Sequence, residues 1–502
     1  MLILAMSLAG CKKEDTSEST STSAPTKADT TQEAEATEEP AAELDPYQID
    51  VIMIGNDRSD TALVEEGMNE LLADINATVK FTFIASSNWT QQTNLMNASS
   101  EKIDILWTSS FYGYSTNVAN GQILPLNDLL SEYGSSIVEV LGTDTLEACK
   151  IDGEVYGVPS TRDMAANYGV SMRADLVEKY GIDVDAIATM EDLTPVFATI
   201  KENEPDMIAT GGWSGSNTMV NLILKGTFDY LDNWFGVIRL DDPECNVINY
   251  YETPEYAQMC DIVHEWYQAG YVIADAATTT ESPRDLIKAG KEFSVFYSGK
   301  PGIDQQTKGQ TGYDIVSAWI TPAVKSTSTI TVMMASIGRT SEDPARTMML
   351  LDRWYSDADI VNLFDLGVEG VHYVMDHDNV VKLPDGVTDT SSLWPSSNFY
   401  IGNNYLSYVW QGSDSDQWDQ MKTFNDTAVQ SPALGFAFDA KPVETEIAAT
   451  QNVIAEYRSG LETGTLDPAV KLPEFIQKLK DAGIETIMAE KQAQIDAWLA
   501  GK

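Results

Sequence analysis

The chain has 502 residues, 43% hydrophobic and 9% aromatic, more apolar material than one core usually organises, so two or more lobes are expected. Its 31 Lys plus Arg stand against 77 Asp plus Glu, a net charge of −46. Such a surface repels phosphate and excludes a nucleic-acid partner; beyond that, net charge speaks for solubility and not for a fold.

Residues 1–10 are almost wholly apolar and stop at Cys11 in the run Leu8-Ala9-Gly10-Cys11, with Lys12-Lys13 behind it. The run is too short to span a bilayer, which takes about 20 residues, and reads as the tail of a signal peptide. Leu-Ala-Gly-Cys resembles a bacterial lipobox, which implies an acylated, palmitate-bearing Cys11 as the mature N-terminus. No basic stretch precedes the apolar run, so the start of translation is expected upstream of Met1. Residues 12–46 are rich in Ser, Thr, Ala and Glu, bury too little to fold, and read as a disordered tether.

Ile49–Ile54 is predicted as an apolar strand, followed by the polar loop Asn56–Asp60. Asp60 is placed to cap a helix carrying Val64, Met68, Leu71, Leu72 and Ile75 at helical spacing. Val79, Phe81 and Phe83 alternate as a second strand, and a helix starts at Asn88 or Trp89 with Gln91 set to reach back to the cap. Ile103–Trp107 is a third strand. Strand–helix–strand units with short loops pair in parallel through right-handed crossovers, and ligands bind beyond the carboxyl ends of such strands. The loops 56–60, 86–89 and 109–112 therefore share one rim.

Lys150–Pro159 reads as a hairpin feeding an extended segment at Asn167–Ser171. Helices are predicted over Arg173–Tyr180, Met190–Asn203, Asn217–Leu224 and Pro254–Gly270, and strands over Phe293–Tyr297 and Tyr313–Ile320. From Gln451 the chain is amphipathic helix, through Leu472–Ala482 to Ile484–Leu499.

Catalytic constellations are scarce. His264, His372 and His377 have no metal-ligand spacing, and Gly212-Trp-Ser-Gly-Ser216 lacks the last glycine of a nucleophile elbow. Asp414-Ser-Asp416 has no calcium-loop pattern around it. Cys149, Cys245 and Cys260 form no C-x-x-C pair, against thiolate metal ligation. Cys245 and Cys260 are read equally as a bridge or as two buried thiols. No cofactor is expected, and the chain reads as a binding protein, not an enzyme.

The Cys11 lipobox, Lys102-Ile-Asp-Ile-Leu-Trp107, Gly121-Gln-Ile-Leu-Pro-Leu-Asn127, Ile151-Asp-Gly-Glu-Val-Tyr-Gly-Val-Pro159, Met172–Gly181, Gly435-Phe-Ala-Phe-Asp439 and Asp496-Ala-Trp498 follow one another in a recognisable order. In that order the chain resembles the family 1 extracellular solute-binding proteins of ABC importers, in the lipoprotein subgroup with a C-terminal domain of unknown function. The resemblance implies an α/β, two-lobe periplasmic-binding-protein type II fold. Each lobe would be a mostly parallel sheet flanked by helices, with a helical C-terminal extension. It places lobe one at 47–166 and 318–372, and lobe two at 167–317 and 373–502, with crossings near 167–171, 316–320 and 371–374. It implies a carbohydrate, an oligosaccharide, gripped between the lobes, ABC importer permease subunits as partners, a monomer, and lipid anchoring on the extracellular face of the bacterial membrane.

A sugar offers an apolar C–H face to aromatic rings and hydroxyl edges to planar donors and acceptors, and hydroxyls buried without partners cost about 1–3 kcal/mol each. The ligand-binding candidates are accordingly Asp57, Arg58, Trp89, Phe111, Tyr112, Arg162, Asp163, Trp213, Tyr297, Trp394 and Tyr400, with Trp410 and Lys300 beside them. Two other readings remain: a binding lipoprotein for peptides or other metabolites, and an anchored glycoside hydrolase, which needs only two carboxylates at the right separation.

Overall fold

The computed structural model describes residues 44–109, 112–211, 217–231, 233–387, 394, 400 and 402–501. The lipobox Cys11, most of the 12–46 tether, Phe111 and Trp213 lie outside them.

The N-terminal sheet begins with β1 (Tyr47–Ile54), whose Ile49, Val51, Ile52 and Met53 are all 0–2% exposed. Burial on both faces is why this strand is continuously apolar. β2 (Ala77–Ile84) pairs with it in parallel at the edge, so Val79 and Phe81 turn inward while Thr78, Lys80 and Thr82 face water. β3 (Ile105–Thr108) is parallel on the other side of β1. β4 (Val158–Pro159) follows far along the chain and reaches this sheet only through the later strand β9 (Met334–Ile337), which is antiparallel to both β3 and β4. The order is β2-β1-β3-β9-β4.

The second sheet contains β5 (Asn167–Arg173), β6 (Ile208–Gly211), β7 (Glu292–Gly299) and β8 (Ile315–Trp319), in the order β8-β5-β7-β6. β5 runs antiparallel to β7 and β8, and β7 runs parallel to β6. Both sheets are therefore mixed: pairing is parallel where βα units follow one another and antiparallel where a strand enters from a crossing.

Each sheet has its own core. The first gathers Ile52, Phe81, Trp107, Trp354 and Phe364; the second gathers Val170, Phe197, Tyr250, Trp266 and Phe296. The helices Glu444–Glu462, Pro468–Asp481 and Ile484–Ala500 bury Leu461, Phe475, Leu479 and Ile487 in the second core. The two-lobed α/β architecture matches the expectation.

The lobe boundaries differ from those expected. Ala318 belongs to the second core, and the chain regains the first sheet only at Met334, not at 318. Nor does it leave for lobe two at 373. Val374–His377, Val380–Lys382 and Val409–Trp410 form a small three-stranded sheet, and Trp394 is sunk in the first core. Asp60 explains the docking. It makes no helix cap; its carboxylate accepts from the Trp394 N–H at 2.8 Å and from His372 Nε2 at 2.5 Å. His372 Nδ1 accepts the Val368 N–H, which leaves the proton on Nε2.

The last crossing falls near residue 434. Leu434 is buried in the first core while Phe436, two residues on, is buried in the second. Gly435 between them has φ +94°, and a Cβ there would lie 3.0 Å from the Glu147 carbonyl oxygen. The three crossings are tied together: Ala166 and Val324 exchange backbone hydrogen bonds, and Val324–Lys325 pairs with Val429–Gln430. Cys149, Cys245 and Cys260 are buried thiols, so Cys245 and Cys260 form no bridge.

Candidate ligand-binding cleft

β3 and β4 of the first sheet and β7 of the second direct their carboxyl ends toward a cleft of about 820 Å³. Residues 160–166 and 329–333 of the crossings line it, Tyr297–Gly302 follow from the end of β7, and a further wall comes from Trp410–Ser413 and the helix Gln417–Asp426.

The charged centre of the cleft is Arg162, Asp163 and Lys300. Arg162 Nε donates to Asp163 Oδ1, and Lys300 Nζ lies 3.1 Å from Asp163 Oδ2. Burial alone would raise the Asp163 carboxyl, but the charges of Arg162 and Lys300 outweigh it and hold the group below the usual carboxylate range. Burial lowers the Lys300 ammonium, Asp163 raises it and Arg162 lowers it again. The turn carrying these groups is held from behind by Asn425. Its Oδ1 accepts the N–H groups of Met164 and Ala165 at 3.0 and 3.1 Å, and its Nδ2 donates to the Arg162 carbonyl at 2.6 Å. Thr161 Oγ1 donates to Asn403 Oδ1 at 3.1 Å, so the first lobe fixes the other end of the turn.

Across the cleft, Tyr297 is half-buried with the Arg284 guanidinium 4.1 Å from its ring centre. Gln305 and Gln306 face in from the helix Ile303–Thr311, and Gln417 and Trp418 from the further wall. The Trp418 indole N–H is covered and has no hydrogen-bond acceptor among the described residues. Deeper in the second sheet, burial pushes the Glu292 carboxyl up to about 8. A Cβ on Gly211 would come within 2.5 Å of Glu292 Oε1, so this position needs glycine.

Arg162, Asp163, Tyr297, Lys300 and Trp410 come together on this cleft. The other described candidates do not line it. Trp394 is 1% exposed, packs against Phe81, Phe83 and Phe364, and donates its indole N–H to the Phe364 carbonyl at 2.8 Å. Trp89 is 2% exposed and meets Tyr112 edge-on. Both are core residues in this conformation, because the first sheet needs rings to close its carboxyl rim. Tyr400 stacks on Trp107 at 5.5 Å and donates to the Ile54 carbonyl at 3.2 Å. Tyr112 shares a 2.8 Å hydrogen bond with Ser86 on the rim, Asp57 is exposed and Arg58 half-buried. Gln305, Gln306, Gln417 and Trp418 were missed: they lie within polar helical sequence that carries no local mark of a binding face.

The profile of the family described as Bacterial extracellular solute-binding protein matches residues 59–321, and that of a Domain of unknown function (DUF3502) matches residues 432–500. A Streptococcus pneumoniae serotype 4 (strain ATCC BAA-334 / TIGR4) protein described as Carbohydrate ABC transporter substrate-binding protein is 26% identical over 463 residues, 87% of this chain and 89% of that one. Lipoprotein LipO of Bacillus subtilis (strain 168) is 22% identical over 427 residues, 78% of this chain and 80% of that one. The crystal structure of the N-glycan transport solute binding protein (NgtS) from Streptococcus pneumoniae superposes with a TM-score of 0.80 at 25% identity, covering 91% of this chain and 99% of that one. The structure of NgtS in complex with Man5GlcNAc gives 0.66 over the same shares, also at 25% identity.

Proposed function

This chain belongs to the bacterial extracellular solute-binding proteins, and on that premise we propose that it captures an oligosaccharide in the interlobe cleft and delivers it to the permease of an ABC importer. The observation that carries the reading is the mixture of groups on the cleft. Tyr297, Trp410 and Trp418 supply ring surface, while Gln305, Gln306, Gln417 and Arg162 supply planar hydrogen-bonding groups. Rings suit the C–H face of a pyranose, and planar amides and guanidinium suit its hydroxyl edges. At about 820 Å³ the cleft lies in the upper part of the range of about 300–1,000 Å³ for small-molecule sites, which favours several sugar units over one. The pneumococcal relatives, one described as carbohydrate-binding and one solved with Man5GlcNAc, support the same ligand class.

The protein is a binding protein and not an enzyme, as its relatives are. A glycoside hydrolase sets two carboxyl groups about 5–9.5 Å apart on its substrate; among the described residues lining this cleft, Asp163 is the single carboxylate.

Ligand capture closes the lobes. This chain is more alike to one NgtS structure than to the Man5GlcNAc complex of the same protein, at 0.80 against 0.66, which fits one fold in two arrangements. Rotation about the three tied crossings accounts for such a change. The chain acts as a monomer, since one copy supplies every wall of the cleft. It is held to the extracellular face of the membrane by lipid on Cys11, a reading supported by the lipobox and by the likeness to a lipoprotein.

Thermal melting across a panel of oligosaccharides tests the ligand class: at least one glycan raises the melting temperature, and peptides do not. No shift with any glycan overturns the reading. Small-angle scattering with that glycan shows compaction, and Cys11→Ser moves the protein from the membrane to the soluble fraction.

A further inference from the structure

Arg162 and Asp163 reach the cleft from a turn that does not hold itself. Met164 donates its N–H to the Arg162 carbonyl at 2.9 Å, which closes a three-residue turn with Asp163 at the apex. One such bond does not offset the entropy of fixing three residues. Just beyond the turn, Ala166 already belongs to the crossing bonded to Val324.

The missing constraint comes from one side chain. Asn425 is 1% exposed, and its amide uses every donor and acceptor it has. Oδ1 accepts the N–H groups of Met164 and Ala165 at 3.0 and 3.1 Å, while Nδ2 donates to the Arg162 carbonyl at 2.6 Å and to the Tyr405 hydroxyl at 3.0 Å. Three of these bonds fall on the turn, and two of them grip the N–H and the carbonyl that close it. An aspartate has the acceptors without the donors, a glutamine overshoots by one methylene, and a leucine of similar size satisfies none of the four.

The helix that carries Asn425, Gln417–Asp426, is also a wall of the cleft. Gln417, Trp418 and Met421 line it, and at 3.6 residues per turn Asn425 shares their face, four positions past Met421. Wall and turn are therefore one body. A molecule lying against Gln417 and Trp418 meets Arg162 and Asp163 at a fixed separation, and binding is spared the cost of ordering the turn.

We propose that Asn425 is a positioning residue for ligand capture: without lining the cleft, it clamps the 162–164 turn to the cleft wall and so sets the aim of Arg162 and Asp163. The inference rests on reading this cleft as the oligosaccharide site and names a residue, outside the contact surface, on which the affinity of that site depends.

The test is titration calorimetry of the intact protein with the oligosaccharide that raises its melting temperature most. Asn425→Leu should weaken binding about tenfold or more, the worth of one hydrogen bond to a charged group lost through misalignment. Asn425→Asp, read in its place if the leucine variant does not fold, should weaken it too. Tyr405→Phe removes the fourth partner of the amide but leaves the turn clamped, and should leave the dissociation constant nearly unchanged. With Arg162→Ala in place, Asn425→Leu should cost clearly less affinity than it does alone, because a side chain it aims is gone. A purely structural asparagine lowers stability and gives costs that multiply, or gives equal dissociation constants; either result overturns the inference and leaves the carbohydrate reading standing. So does Tyr405→Phe weakening binding as much as Asn425→Leu. If the unaltered protein binds no oligosaccharide, the carbohydrate reading itself fails, and the inference with it.

Discussion

The carboxyl rim of the first sheet and the wall of the cleft use aromatic and polar side chains in opposite ways. At the carboxyl rim of the first sheet, Trp89 and Trp394 are buried, and Tyr400 lies flat on Trp107. From the crossings and the second sheet come Arg162, Asp163, Lys300 and Tyr297, placed on the cleft. Two of the rings that seal the first rim hand their polar atoms to backbone carbonyls, the Trp394 indole to Phe364 and the Tyr400 hydroxyl to Ile54. The wall of the cleft instead keeps charged and polar groups along the open space. Trp394, with its indole N–H bonded to Phe364, is a plug, whereas Trp418, on the cleft, keeps a covered N–H with no acceptor among the described residues.

The comparison breaks most visibly at the plug. Trp394→Ala should lower unfolding free energy by about 3–5 kcal/mol, the usual range for truncating a buried tryptophan, with affinity per folded molecule unchanged. Denaturant titration alongside calorimetry separates the two quantities, and a loss of affinity without loss of stability would make Trp394 a ligand contact. Asp163→Asn, on the other wall, leaves Arg162 beside Lys300 without their shared carboxylate and should lower stability by about 1–3 kcal/mol. Because the Asp163 carboxyl is held below its unfolded value of about 3.9, its contribution is fully present above that pH and is lost as pH falls through the folded value. The Asp163→Asn deficit should thus be constant from pH 5 to 7 and vanish only in strong acid.

Tyr297→Ala should lower glycan affinity by about 1 kcal/mol, as the loss of one aromatic contact face, with a smaller effect on the melting temperature. An unchanged dissociation constant would move Tyr297 to the structural side. The subtlest expectation concerns Glu292, whose carboxyl is raised to about 8 against an unfolded value near 4.3. The folded state keeps its proton where the unfolded state has lost it, so native stability falls as pH rises between those values. Glu292→Gln removes that dependence, and its stabilising effect should grow from pH 5 to pH 8. A gain independent of pH would show that the group does not titrate in this window.

Much of the first lobe was legible because its strands and helices are contiguous in sequence and keep their periods: Ile49–Ile54 and the Phe81 alternation fold as read, while the helix expected from Val64 to Ile75 ends at Leu71 and passes into a separate 3-10 turn at Ala73–Ile75. Arg162 and Asp163 were legible as cleft residues because they stand just ahead of a crossing. The segment 373–434 was not. It is built from two- to four-residue strands and aromatic loops whose docking depends on Asp60 and His372, 312 positions apart in sequence, and no local pattern encodes such a pairing. The burial of Trp394 in the first core was hidden for that reason. Trp418 went unnoticed because a ring on a polar helix gives no sign of which flank meets the cleft.

Leu434 and Phe436, anchored in different cores on either side of Gly435, bear on how the chain is made as well as on how it moves. The first lobe takes β9 from residues 334–337 against β3 at 105–108, then Trp394, then Leu434. No contiguous N-terminal piece therefore contains a finished first lobe, and its core stays open until most of the chain has been synthesised. Contacts so distant in sequence close slowly. For a protein of an extracellular family, the first lobe is thus a unit whose core is complete only once the chain's last third is present.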